Sequence, residues 1–84
     1  MKLIFLSTGW EDYLYWQVTD KKTLKKINTL IKEIQRSPFQ GNGKPEPLKH
    51  DLAGWWSRRI DLENRLVYRV ENESLFILQC RYHY

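Results

Sequence analysis

The hydrophobic positions divide the chain into a helical first half and a second half of short strands. Five aliphatic residues in the first half recur at three- and four-residue steps: Leu24, Ile27, Leu30, Ile31 and Ile34. This spacing places them on one face of a helix. Asp20 can cap the start of that helix, and Ser37-Pro38 ends it. The pattern therefore predicts an amphipathic helix between Asp20 and Ser37.

The N-terminal segment predicts a strand followed directly by another helix. Residues 1–6 are mostly apolar and precede a Ser-Thr-Gly sequence, which indicates a short, buried strand. Thr8 and Glu11 have the spacing of a capping box, so the helix is expected to begin at Thr8. Its inner face is expected to carry Trp10, Tyr13, Leu14 and Gln17.

Residues 37–47 hold all three prolines and two of the four glycines, which predicts a surface loop carrying Lys44 and Glu46. Apolar and polar residues then alternate over four segments: 48–50, 55–60, 65–70 and 75–82. Polar turns separate these segments, so we expect an antiparallel meander. The predicted fold is α+β, with a single domain over residues 1–84. In it, a two-helix hairpin packs on a small, twisted, mostly antiparallel sheet of four to five strands.

Length and composition exclude several classes of protein. Eighty-four residues with twelve aromatics make one small folded domain, which excludes a multi-domain enzyme. The single cysteine, Cys80, allows no internal disulfide, and no zinc-binding spacing is present; both features fit a reducing cytoplasm. The N-terminal apolar run falls short of the roughly 20 residues that span a bilayer, so no membrane role is expected.

The distribution of positive charge indicates where an anionic ligand binds. Fourteen lysines and arginines against ten acidic residues give a net charge of +4. Most lysines lie on the second predicted helix, where they form a solvated face. Five of the six arginines lie on the predicted strands. Because a guanidinium offers phosphate two donors in a rigid fork, we expect ligand binding on the sheet.

Six residues on the loop, the strands and the C-terminus suit metal-free cleavage of RNA: Glu46, Lys49, Arg59, Arg65, His83 and Tyr84. Glu46 would act as the base that removes the 2′-hydroxyl proton, and His83 as the acid that protonates the departing 5′-oxygen. Arg65, assisted by Lys49 and Arg59, would hold the phosphate. This chemistry needs neither a metal nor a cofactor. His50 and Cys80 are interpreted as structural residues.

Each of these residue types also has a simpler interpretation. Glu46 between two prolines is compatible with a solvated loop carboxylate, and strand arginines such as Arg59 and Arg65 are common cross-strand ion-pair partners. The same basic sheet also suits a non-catalytic RNA-binding module or a DNA-binding co-repressor subunit. RNA products separate these hypotheses, because a pure binder protects RNA without creating new ends.

Five linked segments carry a resemblance to a known family: Glu11 to Trp16, Gly43 to Lys49, Trp56 to Ile60, Arg65 to Tyr68, and Cys80 to Tyr84. With these motifs the sequence resembles, end to end, the YoeB family of toxin–antitoxin systems within the RelE-like superfamily. The resemblance implies a single RelE-like, or microbial-RNase-like, toxin domain over residues 1–84. It places the family's catalytic glutamate, arginine, histidine and terminal tyrosine on Glu46, Arg65, His83 and Tyr84.

The resemblance also implies a biological activity and partners. It implies a toxin that cleaves messenger RNA in the ribosomal A site and leaves a 2′,3′-cyclic phosphate or its 3′-phosphate. It further implies a YefM-type antitoxin, operator DNA bound through that antitoxin, and a homodimer.

Overall fold

Two helices precede most of a five-stranded sheet in the computed structural model, which describes residues 1–84. The elements in chain order are β1 (Lys2–Phe5), α1 (Ser7–Thr19), α2 (Lys21–Arg36), β2 (Glu46–Pro47), β3 (Trp56–Arg59), β4 (Arg65–Glu71) and β5 (Ser74–Gln79). A short 3₁₀ turn, His50–Leu52, lies between β2 and β3. This architecture confirms the predicted α+β fold with a helical hairpin on a small sheet.

The sheet has the strand order β1-β5-β4-β3-β2. β1 pairs in parallel with β5, and the three remaining pairs are antiparallel. The prediction that the N-terminal strand is buried is wrong. β1 forms an edge of the sheet, where it pairs with β5 on one side and with no strand on the other. Its residues are therefore exposed or half-buried.

The core lies between α2 and one face of β4 and β5. The predicted stripe of α2 is confirmed, since Ile27, Leu30, Ile31 and Ile34 are buried and Leu24 packs at the core's margin. These side chains meet the inner face of the central strands, formed by Leu66, Tyr68, Leu75 and Ile77. Burying each large aliphatic side chain contributes about 1.5–3 kcal/mol. The side chain of Asp20 accepts the N–H groups of Lys22 and Thr23, as its capping role predicts. Neither helix is long and apolar enough to cross a membrane.

α1 differs from its sequence prediction at its start and on its inner face. The helix begins at Ser7, and no side chain caps it, so the predicted capping box is wrong. The backbone N–H of Leu6 is instead bound to Ile77 O at 2.9 Å, because β1 runs straight into the helix. The inner face carries Gly9 and Trp16, while Trp10 is 47% exposed.

Gly9 allows the close approach of α1 to β5. A Cβ added at Gly9 would lie 2.5 Å from the backbone oxygen of Ile77. We therefore expect Gly9→Ala to lower the free energy of unfolding by about 1–3 kcal/mol, as overpacking does. Urea denaturation measures this change. Thr8→Ala at the exposed, non-capping neighbour should stay within about 0.5 kcal/mol of wild type. A gain in stability from Gly9→Ala, as helix propensity alone predicts, would contradict the close packing.

A β-bulge in β5 changes which residues face the core. Tyr68 pairs with Ile77 and Val67 pairs with Gln79, so Leu78 is an extra residue in the strand. Beyond Leu78 the alternation therefore reverses, and Cys80 enters the same core as Ile77. The uninterrupted alternation expected for this strand is wrong after the bulge. Burial raises the pKa of the Cys80 thiol to about 12, which agrees with a structural role for this residue.

The loop before β2 follows a defined path because Arg58 holds it. The Arg58 side chain is fully buried and donates to the carbonyl oxygens of Ser37 and Gln40, each at 2.7 Å, and to that of Asn42 at 3.2 Å. It also forms a 2.7 Å ion pair with Glu33 of α2. The loop thus leads the chain to the free edge of β3.

At that edge the structure corrects two details of the sequence prediction. Glu46, expected in the loop, lies in β2 and pairs with Ser57, while Pro47 pairs with Trp56. The strand expected at residues 48–50 is absent, since the chain leaves the sheet there and enters the 3₁₀ turn at His50.

Candidate active site at the sheet edge

The strand register places three of the candidate residues on one face of the sheet. Glu46 lies opposite Ser57 in the next strand, and Arg59 lies opposite Arg65. Side chains alternate between faces along a strand, so Glu46, Arg59 and Arg65 share the face turned away from the helices. Sequence-distant candidates thus meet on the outer face, near the β2 edge.

The C-terminus reaches the same edge. The Tyr84 hydroxyl donates a 3.0 Å hydrogen bond to Glu46 Oε1 across 38 positions of sequence. The His83 ring lies beside the Tyr84 ring, with their centroids 4.8 Å apart. The structure therefore brings Glu46 and Tyr84 together, and His83 lies next to Tyr84.

A cavity of about 330 Å³ opens beside this contact. Its lining residues come from β2, the 3₁₀ turn and the C-terminus: Glu46, Pro47, Leu48, Lys49, His50, Leu52 and Tyr84. Lys49 therefore adds a cation to the cavity that holds the Glu46 carboxylate. The three remaining candidates, Arg59, Arg65 and His83, do not line this cavity.

Arg65 is held in a nearly buried position with part of its guanidinium free. The residue is only 9% exposed, and its Nη1 donates to the carbonyl oxygens of Asp61, Leu62 and Asn64. The other two guanidinium nitrogens of Arg65, Nε and Nη2, make no hydrogen bond to the protein. Because no buried side-chain nitrogen in the structure lacks a partner, these two atoms reach solvent. The turn thus fixes the guanidinium while leaving donors for a ligand. Arg59, across the strand, is exposed.

The assembled groups suit proton transfer next to an anion. A carboxylate and an imidazole lie at one edge, with one ammonium and two guanidinium groups on the adjoining surface. Carboxylate and imidazole are common general bases and acids, and preorganised cations stabilise developing negative charge. No three histidine, cysteine, aspartate or glutamate side chains lie close enough together to hold a metal ion.

A family model described as a YoeB-like toxin of bacterial type II toxin–antitoxin systems matches residues 5–84. The chain belongs to this family. The resemblance drawn from the five sequence motifs is therefore confirmed.

Individual relatives agree with the family match over the whole chain. Toxin YoeB of Escherichia coli K12 is 64% identical over 84 residues, with both chains fully covered. The YoeB/ParE toxin of Agrobacterium tumefaciens has a solved structure with a TM-score of 0.97 and 53% identity, again with full coverage of both chains. Two Staphylococcus aureus structures, a heterotetrameric YoeB–YefM complex and a YoeB dimer, have TM-scores of 0.92 and 0.93. Each is 48% identical and covers 100% of this chain and 98% of its own.

Sequence reasoning missed several residues around the site of this toxin. His50, interpreted as structural, lines the cavity with a left-handed φ of 57°. Asp12 and Asn64 bind the backbone of the C-terminal segment from 68 and 18 positions away. The position of His50 next to Lys49 was the one local signal that could have indicated its place in the cavity. No local signal indicated the roles of Asp12 and Asn64, because their partners are backbone groups distant in sequence.

Proposed function

We propose that this toxin is a ribosome-dependent messenger-RNA endoribonuclease that cuts in the A site without a metal ion. The contact between Glu46 and Tyr84, with His83 and Lys49 beside it, is the observation that carries the proposal. It supports a single site assembled from residues that are distant in sequence and that the family resemblance makes catalytic.

The proposed reaction is an internal transfer at phosphorus. Glu46 removes the proton from a 2′-hydroxyl, and the oxygen attacks the adjacent phosphorus. The bond from phosphorus to the 5′-oxygen breaks as His83 protonates that oxygen, which leaves a 2′,3′-cyclic phosphate. Each positioned proton transfer contributes about 10²- to 10⁴-fold in rate.

The remaining site residues would position the base and stabilise charge. The Tyr84 hydroxyl orients the Glu46 carboxylate through its 3.0 Å hydrogen bond. Lys49, Arg59 and the solvent-facing donors of Arg65 stabilise negative charge on the phosphate oxygens. The partial fixation of Arg65 by its turn supports a preorganised contact.

The exposure of the site supports the proposed dependence on the ribosome. Glu46, Lys49 and His83 are all exposed, so the protein alone offers a flexible RNA few enclosing contacts. Orientation accounts for a large part of catalysis, and the decoding centre would supply it.

The proposed partners rest on the relatives. The S. aureus YoeB–YefM complex and YoeB dimer support a YefM-type antitoxin and a homodimer for this chain. A cytoplasmic location is part of the same proposal. Operator DNA would be bound through the antitoxin. Leu3, Trp10 and Leu14 form exposed apolar surface on β1 and α1, which supports contact with another protein chain.

A non-catalytic RNA-binding or DNA-binding co-repressor role is the alternative. Five lysines on the exposed face of α2 favour it as an anion-binding surface: Lys21, Lys22, Lys25, Lys26 and Lys32. These lysines lie outside the cavity at the sheet edge, so this surface would act independently of the proposed chemistry.

Primer extension on a message translated by purified ribosomes tests the proposal. We expect primer extension to stop at new 5′ ends within A-site codons, and the cleavage rate to stay unchanged when EDTA is added at constant free magnesium. Constant magnesium matters because the ribosome itself needs it. Protection of the message without new ends would instead indicate a binding module. Cleavage that stops with EDTA would contradict the metal-free mechanism.

A further inference from the structure

The last two residues carry proposed chemistry although they make few contacts of their own. His83 is exposed and Tyr84 is 43% exposed, and β5 ends at Gln79. Chain ends fray unless other groups hold them. An ordered contact between Tyr84 and Glu46 therefore requires anchors in residues 80–82.

Helix α1 supplies the first anchor, at Cys80. The indole Nε1 of Trp16 donates to Cys80 O at 2.8 Å, and Asp12 Oδ2 accepts the Cys80 N–H at 3.0 Å. Asp12 and Trp16 lie four residues apart, so they project from one face of the helix. Burial raises the pKa of Asp12, against the opposing effects of the Cys80 N–H and the Arg81 charge. Both backbone groups of Cys80 are thus held by side chains.

The turn before β4 supplies the second anchor, at Tyr82. The Tyr82 N–H donates to Asn64 Oδ1 at 2.7 Å, and the Arg65 N–H donates to Tyr82 O at 2.9 Å. The amide nitrogen of Asn64 donates to both carboxylate oxygens of Asp61 at 3.1 Å. Because the Asp61 carboxylate accepts both hydrogen bonds from the amide nitrogen of Asn64, the amide oxygen of Asn64 is directed to Tyr82.

Tyr82 itself adopts an unusual backbone conformation between these anchors. Its φ is 66°, in the left-handed region that aromatic residues rarely occupy. Such a conformation persists where surrounding contacts over-determine it. The Arg81 guanidinium adds to the restraint, since it lies 3.5 Å from the Tyr15 ring centroid and 4.4 Å from that of Tyr82. The chain is thereby turned at Tyr82, just before His83.

We propose that Asp12 and Asn64 are positioning residues of this toxin, which clamp Cys80 and Tyr82 so that His83 and Tyr84 are held beside Glu46. The effect of this clamp on catalysis rests on the proposed function. The clamp itself rests on the four hydrogen bonds to the backbone groups of Cys80 and Tyr82. Neither residue touches the cavity, so each acts through the terminal dipeptide.

Three variants and a matched control test the clamp kinetically. Asp12→Ala and Asn64→Ala each remove one acceptor, whereas Asp12→Asn keeps an oxygen for the Cys80 N–H. Glu11→Ala alters an exposed carboxylate next to Asp12 and serves as the control. We expect the two acceptor-removing variants to lower the maximal single-turnover cleavage rate by about 10- to 100-fold, since small misplacements are costly. The toxin concentration that gives half the maximal rate should change less than about twofold. Asp12→Asn and Glu11→Ala should keep rates near wild type.

Backbone ¹⁵N relaxation of the full chain gives a readout without activity. In wild type we expect order parameters at residues 83 and 84 near the rigid value of about 0.85, and in both acceptor-removing variants values below about 0.6. Values in β5 should stay unchanged. Asn64 is half-buried at the end of a turn whose residues 61–63 are exposed, so Asn64→Ala decides the matter if Asp12→Ala loosens the whole fold.

The outcomes separate the clamp from the proposed activity. Absence of cleavage in wild type, combined with loosening of residues 83 and 84 in both variants, would reject the nuclease and leave the clamp standing. The clamp would be overturned if wild type cleaves the message, both acceptor-removing variants cleave it at the same rate, and residues 83 and 84 stay ordered in both variants. An equal loss of rate in Asp12→Asn would also overturn it, because that variant retains the acceptor.

Discussion

Replacing Glu46 with glutamine should slow message cleavage on the ribosome by about 10²- to 10⁴-fold, the usual contribution of one general base. The amide has nearly the shape of the carboxylate, and its oxygen can still accept the hydrogen bond from Tyr84. The substitution therefore removes proton acceptance while keeping the contact at the sheet edge. Single-turnover rates at saturating toxin measure the effect, and the toxin concentration at half-maximal rate should change little.

A nearby carboxylate provides the matched control for this experiment. Asp51 is exposed in the 3₁₀ turn and does not line the cavity, so Asp51→Asn should cleave at the wild-type rate. Comparable losses in both variants would point to general electrostatics instead of a base at position 46. Full activity in Glu46→Gln would refute the assignment of Glu46 as the base.

Arg58→Ala should destabilise the fold strongly, with a loss of about 3–5 kcal/mol in the free energy of unfolding. The buried guanidinium binds Glu33 and the carbonyl oxygens of Ser37, Gln40 and Asn42. Its removal takes a donor away from each of these acceptors and opens a cavity under the loop. Urea or thermal denaturation measures the loss.

The neighbouring Arg59 provides a control that separates the structural role of Arg58 from the loss of a positive charge. Arg59 follows Arg58 on β3 but is exposed, so Arg59→Ala should change the free energy of unfolding by no more than about 0.5 kcal/mol. Arg58→Lys should recover little stability, because one ammonium cannot span the acceptors that the planar guanidinium reaches. A stable Arg58→Ala protein would show that the loop holds its path without this residue.

The elements with strong periodicity were predictable from the sequence, and those determined by neighbouring elements were not. The α2 stripe and its Asp20 cap depend on residues within one helix, so local spacing was enough to predict them. α1 is different, because its inner face depends on the close approach of Gly9 to β5. Local spacing therefore favoured Trp10 over Trp16. The bulge at Leu78 likewise follows from pairing with β4 and has no local signal.

The candidate site was likewise predictable in part, since its residue types could be read from the sequence and their arrangement could not. The residue types at positions 46, 65, 83 and 84 are enough to indicate acid–base chemistry at a phosphate. Their arrangement required the register of three strands and the anchored C-terminus. Arg65 illustrates the difference, since its burial and its bonds to the turn carbonyls appear only in the folded chain.

The sequence by itself determined the family, the α+β class and the chemical groups available, because these depend on residue identity and spacing along the chain. Tertiary structure decided which groups meet: the bond from Tyr84 to Glu46, the burial of Arg58 and the clamp on residues 80–82. These contacts join side chains and backbone groups across tens of residues. The packing of helices on the sheet selects them, and no local pattern of residues encodes them.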